Sequence, residues 1–260
     1  MAGILFNEII FGPIKSRRLG NSLGINLLPK SHKVCTFNCI YCECGWGQQA
    51  KYNIEKLHPA SVIIPVIEET MKMLRQRGEK IDSITYAGNG EPTIHPEFEI
   101  ITDAILELRK RYFPSTIISC LSNSSQLHRP DVVAALKKID NPVMKLDTAL
   151  QSTFLLLNMP YIDIDIATIC KHLQLFEGKL SIQTLFLRGT LDDGTLIDNT
   201  TEEEVAAWIE CLKQIRPHSV MLYPIDRETP ASHLEKIDKD TLEKIAVQVR
   251  KLGIKTSTYE

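Results

Sequence analysis

Six short apolar runs, each parted from the next by a segment long enough for a helix, constrain the fold of this chain more than any other feature. They fall at residues 24–28, 81–88, 115–122, 142–149, 180–187 and 219–225. Helical periodicity is expected over 61–78, 98–113, 130–139, near 163–176, near 201–215 and near 238–252. In the first of these, Ile63, Val66, Ile67, Met71 and Leu74 recur at helical spacing, and Gly78 offers a stop. Repeated βα units predict a parallel sheet with helices packed on it. The expected fold is therefore α/β, a partial (β/α)6 barrel of the TIM type, with a doubly wound open sheet as the alternative. A length of 260 residues suits one such domain. Residues 1–22 read as an N-terminal extension, and about 230–260 as a C-terminal helix and strand extension.

A formal net charge of -2 gives no general attraction to nucleic acid or to an anionic membrane. The first twenty residues lack a basic leader with an apolar core, since Asn7, Glu8 and Pro13 interrupt them, and no run is long enough to span a bilayer. A cytoplasmic protein is expected. Seven cysteines are present, and four of them fall between Cys35 and Cys44. Such clustering points to metal or redox chemistry rather than a disulfide framework. Cys120, Cys170 and Cys211 are scattered through apolar segments and read as core residues.

Cys35, Cys39 and Cys42 follow the first strand in a C-x₃-C-x₂-C pattern. Three thiolates on one loop can wrap three irons of a cubane and leave the fourth iron open. Cys44 could close that position. A four-cysteine zinc site, a closed iron–sulfur electron carrier and unliganded buried cysteines are the alternatives. At the C-terminal end of the second strand come Tyr86, Ala87, Gly88, Asn89, Gly90, Glu91 and Pro92. Glycines there let a loop approach a ligand closely, and Glu91 can accept hydrogen bonds from an ammonium group.

Polar residues interrupt the later strands. Lys145 and Asp147 share one face, with Met144 and Leu146 on the other. Ser119 and Asn123 alternate with Cys120 and Ser122, and Gln183 sits in an apolar run. They suit either a lumen that holds a polar ligand or strand ends in solvent. Gln183, Arg188, Asp226 and Arg227 lie where active sites of such barrels gather, at C-terminal strand ends. A Lys145–Asp147 salt bridge and an exposed ion pair at Asp226 and Arg227 are the structural alternatives.

The cysteine motif, with an aromatic at Tyr41, resembles the signature of the radical S-adenosylmethionine (SAM) superfamily. The resemblance implies an enzyme with a [4Fe–4S] cluster whose open iron chelates SAM. Reductive cleavage of the sulfonium then yields a 5′-deoxyadenosyl radical, which abstracts a hydrogen atom from the substrate. It places Tyr41 near the adenine, and Gly88, Asn89, Gly90 and Glu91 at the SAM amino group, with Asn89 separating the two glycines. Asn123 and Asp147 match positions that contact the SAM carboxylate or ribose. Ser16, Arg17, Arg18, Leu19 and Gly20, with Glu43 and Gly45 after the cysteines, resemble a subgroup related to wyosine-type tRNA synthases. Arg17 and Arg18 would then bind an anionic substrate group, or form a solvated basic turn. One departure stands out: no cysteine precedes Cys35, so the second cluster of the archaeal wyosine enzymes has no ligands here. With no net positive charge either, this speaks against tRNA as the substrate. The electron would come from a partner such as a flavodoxin or ferredoxin. A non-catalytic iron–sulfur or zinc module, or an activase of a partner protein, are the other functional readings.

Overall fold

The computed structural model describes residues 3–47 and 57–260. Its main sheet runs in the order β1-β2-β3-β4-β5-β6-β8-β10. These strands are β1 (Ile10–Ser16), β2 (Gly20–Ile25), β3 (Ser83–Tyr86), β4 (Ile117–Ser122), β5 (Asn141–Lys145), β6 (Ser181–Thr190), β8 (Ser219–Pro224) and β10 (Lys255–Thr258). From β2 to β10 every neighbouring pair is parallel. The six expected strands correspond to β2, β3, β4, β5, β6 and β8, and β10 adds a seventh at the edge. Beyond its paired stem, β6 carries two short antiparallel strands, β7 (Leu196–Asp198) and β9 (Leu234–Lys236).

Among the described residues seven helices connect these strands: α1 (Ala60–Gln76), α2 (Phe98–Tyr112), α3 (Pro130–Lys138), α4 (Gln151–Asn158), α5 (Ile166–Leu173), α6 (Glu202–Ile215) and α7 (Lys239–Arg250). Their starts follow local chemistry. Asp165, Thr201 and Asp238 each cap a helix by accepting from a backbone N–H three residues on. In α1 the buried stripe is Ala60, Ile63, Ile67, Met71 and Leu74. Val66 is turned outward instead, because it lies off the side that faces the sheet.

A flat sheet cannot account for the contacts of the β1–β2 turn. Arg18 Nη1 donates to Gln183 Oε1 at 3.0 Å, and its guanidinium lies 4.5 Å from the centre of the Tyr223 ring. Four strand steps separate β2 from β6, about 19 Å in a flat sheet, beyond the reach of one arginine side chain. The sheet therefore curls into an open partial barrel, and the turn leans across the open side. Inside, a belt of small polar side chains links six strands at their N-terminal ends. Ser22 meets Thr85 at 2.8 Å, Thr85 meets Ser83 at 2.9 Å, and Ser83 donates to Ser119 at 3.2 Å. Asn141 bridges Ser119 and Ser181, and Ser181 meets Ser219 at 2.8 Å. These residues satisfy one another, so the floor of the lumen is polar without unpaired groups.

Several sequence expectations shift. The first strand begins at Gly20 rather than residue 24, and β1 pairs with it as an antiparallel hairpin, so the segment read as an extension through residue 22 forms the sheet edge. The strand expected over 142–149 ends at Lys145, and α4 follows where no helix was expected. The helix near 163–176 divides into α5 and a short 3₁₀ turn, Gln174–Phe176. Cys120, Cys170 and Cys211 are core residues as expected, and Cys170 and Cys211 also face each other between α5 and α6 as a disulfide pair. Among the described residues, no helix is long and apolar enough to cross a membrane.

Candidate active site

The segment after β2 is pinned from both sides. Val34 bridges to Gly90, with Val34 N donating to Asn89 O at 2.8 Å and Glu91 N to Val34 O at 3.0 Å. Phe37 bridges to Pro160, and Ile40 N donates to Leu157 O at 3.1 Å. Cys35, Cys39 and Cys42 lie on the loop so held, within electrostatic reach of one another and of Lys33. Lys33 is buried, with its ammonium on Gly45 O at 3.1 Å. Burial alone would lower its pKa, but the neighbouring Cys42, Cys35 and Cys39 sulfurs carry it above the ordinary lysine value. Amide donors complete the surroundings: Asn123 Nδ2 reaches Cys35 Sγ at 3.4 Å, and Asn158 Nδ2 reaches Cys39 Sγ at 3.5 Å. Burial pushes the Cys35 thiol up to about 12. Cys42 is instead held down to about 6, by the Cys44 thiol and by Lys33.

This donor set fits an iron–sulfur cluster. Three soft sulfurs, a buried cation and N–H groups aimed at sulfur are what a cluster with net negative charge needs. Among the described residues no three Cys, His, Asp or Glu side chains converge as ligands of a single ion would. A cubane takes each thiolate on a different iron, so its ligands need not converge. Cys44 donates from Sγ to Gly88 O at 3.4 Å.

Gly88 and Gly90 hold φ values of +129° and +138°. A Cβ on Gly90 would stand 1.8 Å from Val34 O, and one on Gly88 2.5 Å from Asn26 Oδ1. Gly90 is thus required by the close approach of this loop to the cysteine segment, and Gly88 by its approach to Asn26 just past β2. Glu91 is buried, and its carboxylate accepts from Thr93 N, Thr93 Oγ1, Ser122 Oγ and Asn123 N. Asn89 is used elsewhere: its amide clamps both backbone groups of Phe6 and also Pro29 O. Asn123, besides Cys35, donates to Thr36 Oγ1 at 2.7 Å.

Asp147 is the second hub. Its side chain is fully buried. It accepts from the Tyr41 hydroxyl, the Lys145 ammonium, Asn158 Nδ2 at 3.0 Å and Leu185 N at 3.0 Å. Lys145 Nζ also lies 4.3 Å from the centre of the Tyr41 ring. Burial opposes the Lys145 charge, yet Asp147 and Cys39 raise its pKa above the ordinary lysine value. Lys145 is a held cation here, not a free amine.

The lumen mouth gathers the remaining candidates. Arg17 pairs with Asp226 at 2.7 Å, and Arg227 pairs with Glu43 at 2.6 Å. The ion pair anticipated at Asp226 and Arg227 is therefore two pairs with distant partners, because the turn of the β1–β2 hairpin and the cysteine loop bring opposite charges to them. Gln183 takes Arg18. Arg188 stands apart, on the β6 extension opposite Asp198 and Glu235, with its charge beside Asp238. Sequence reasoning missed Lys33, whose signal was a basic residue two positions before the first cysteine. It also missed Asn158, which carried no signal because α4 itself was not foreseen.

The Radical SAM superfamily model matches residues 30–167, more than half of the chain and spanning both hubs. The chain belongs to the radical SAM superfamily. It is 32% identical over 243 residues to a Helicobacter pylori UPF0026 protein, covering 92% of this chain and 73% of that one. It is 29% identical over 239 residues to a Brachyspira hyodysenteriae protein named GTPase Obg, but spans only 32% of that protein's length. Among solved structures, a radical SAM methyltransferase from Sphaerobacter thermophilus aligns with TM-score 0.63 at 13% identity, over 92% of this chain and 65% of that one. Streptococcus suis SuiB bound to S-adenosylmethionine aligns with TM-score 0.63 at 16% identity, over 88% of this chain and 49% of that one. At such identities the likeness establishes the fold, the open (β/α) barrel of radical SAM enzymes. The chain is a radical SAM enzyme, and its cysteine motif and Gly88–Glu91 loop lie within the matched span.

Proposed function

We propose that this protein holds a [4Fe–4S] cluster on Cys35, Cys39 and Cys42, cleaves SAM reductively and abstracts a hydrogen atom from a polar substrate. Its setting is the cytoplasm, and the electron comes from a separate flavodoxin or ferredoxin. The observation that carries this reading is the loop of three sulfurs facing Lys33, Asn123 and Asn158. When bound, the cluster and SAM supply one-electron cleavage of the sulfonium and a 5′-deoxyadenosyl radical. This chain's own residues hold the cofactors and the lumen. Lys33 offsets thiolate charge, and the two asparagine amides steady Cys35 and Cys39. Glu91 ties the Gly88–Gly90 loop to Ser122 and Asn123 and so holds it beside the cysteine segment, where it would receive the SAM amino group. Asp147 fixes the hydroxyl of Tyr41, the residue between Ile40 and Cys42, and the Tyr41 ring is the candidate for adenine contact. Cys44 stands beside Cys42 and within reach of Gly88 O, and is read here as a neighbour of the cluster rather than as its fourth ligand.

The test is anaerobic reconstitution followed by reduction with dithionite in the presence of SAM, with 5′-deoxyadenosine measured by chromatography. Cys35→Ala, Cys39→Ala and Cys42→Ala should each abolish iron retention and product, while Cys44→Ala keeps both. Equal loss in Cys44→Ala would instead favour the closed, non-catalytic module.

A further inference from the structure

The lumen mouth is a charge inventory that does not close. A cavity of about 60 Å³ opens there, lined among others by Arg17, Arg18, Tyr41, Tyr223 and Tyr259. Three of the cations around it are matched: Arg17 by Asp226, Arg227 by Glu43 and Lys145 by Asp147. Arg18 is the remainder. Among the described residues it makes no ion pair; its guanidinium meets the neutral amide of Gln183 and the ring and hydroxyl of Tyr223. The setting is half-buried, and Lys145 acts on the same Tyr223 hydroxyl from within the barrel. A guanidinium removed from water without a counter-ion bears a desolvation cost that an incoming oxyanion relieves. Its planar fork suits two parallel hydrogen bonds to a carboxylate or phosphate. The cavity has room for such a group, though not for a whole substrate, whose remainder would extend into the lumen.

We propose that Arg18 receives an oxyanion of the substrate, a carboxylate or a phosphate, at the open side of the barrel. This rests on the reading of the lumen as the substrate site. Arg17 is already neutralised by Asp226, so its charge is not open to the anion. Gln183 orients the guanidinium by accepting from Nη1 and leaves its charge uncompensated. An aspartate or glutamate there would have filled the site.

The experiment is equilibrium binding of radiolabelled acetate and of inorganic phosphate to the reconstituted holoenzyme, with and without saturating SAM. The wild type should bind one equivalent of at least one of the two anions, and the arm that responds names the group. Arg18→Gln removes the charge and leaves a shorter polar side chain, and should weaken binding at least about tenfold. Arg18→Lys should weaken it less, and Arg17→Gln should leave it within about threefold. Should Arg18→Gln fail to fold, the lysine variant still decides, since it keeps the charge without the fork. Three results would overturn the proposal: no binding of either anion, equal binding by wild type and both Arg18 variants, or displacement of the anion by SAM. The last would assign the site to the SAM carboxylate. A SAM-induced change in the cluster's EPR signal is recorded on the same samples. Its absence from the wild type would overturn the proposed function without altering the anion result.

Discussion

Lys33 and Glu91 are buried charges, and each is explained by what faces it. Lys33 sits among the sulfurs and singles out Cys42, whose pKa is held near 6 by the Cys44 thiol and this ammonium. Cys35 and Cys39 are raised by burial. In the cluster-free protein, iodoacetamide should therefore alkylate Cys42 first, at a rate that rises through pH 6 and levels above it, because the thiolate is the nucleophile. Peptide mapping by mass spectrometry reads the order, and earlier labelling of Cys35 or Cys39 would contradict the arrangement. Glu91 gathers four donors in the interior. Glu91→Ala would orphan the N–H groups of Thr93 and Asn123, costing about 3 kcal/mol or more. Calorimetry should show a fall in Tm of roughly 6–12 °C, and an unchanged melt would mean these bonds are not made. That Cys35, Cys39, Cys42 and Glu91 mattered was legible in the sequence, since the cysteine spacing states its chemistry locally. How Glu91 is used was not, because Ser122 and Asn123 reach it only after β3 and β4 pair.

At the scale of elements, the cysteine loop and the Gly88–Glu91 loop work as one unit. Backbone hydrogen bonds between Val34 and residues 89–91 join them, and Gly90 leaves no space for a side chain beside Val34 O. Gly90→Ala should push the loops apart, so that iron retained after reconstitution falls well below the wild-type amount while the far-ultraviolet circular dichroism of the barrel persists. Iron assay on the gel-filtered protein checks this, and full retention would contradict it. The parallel strands were legible because buried βα units leave continuous apolar runs. The β1–β2 hairpin and α4 were not. In β1, Gly12 and Pro13 mask the strand signal, and α4 spans only Gln151–Asn158, too short for periodicity to speak. The Cys170–Cys211 pair escaped for a related reason: two cysteines 41 residues apart in sequence, on different helices, meet only in the folded protein.

The whole molecule is an open barrel whose lateral gap is spanned by its own N-terminal turn, with the cysteine loop at one end and a belt of hydroxyls at the other. That geometry puts Arg18, Gln183 and Tyr223 together from three distant stretches of chain, a meeting that no local pattern announces. Its central claim is that three cysteines hold a cluster with one iron left for SAM. Low-temperature EPR on anaerobically reconstituted, reduced protein, with and without SAM, tests this most directly. The account predicts a reduced [4Fe–4S] signal whose g values shift when SAM is added. A cluster signal indifferent to SAM, or stoichiometric zinc in place of iron, would contradict it.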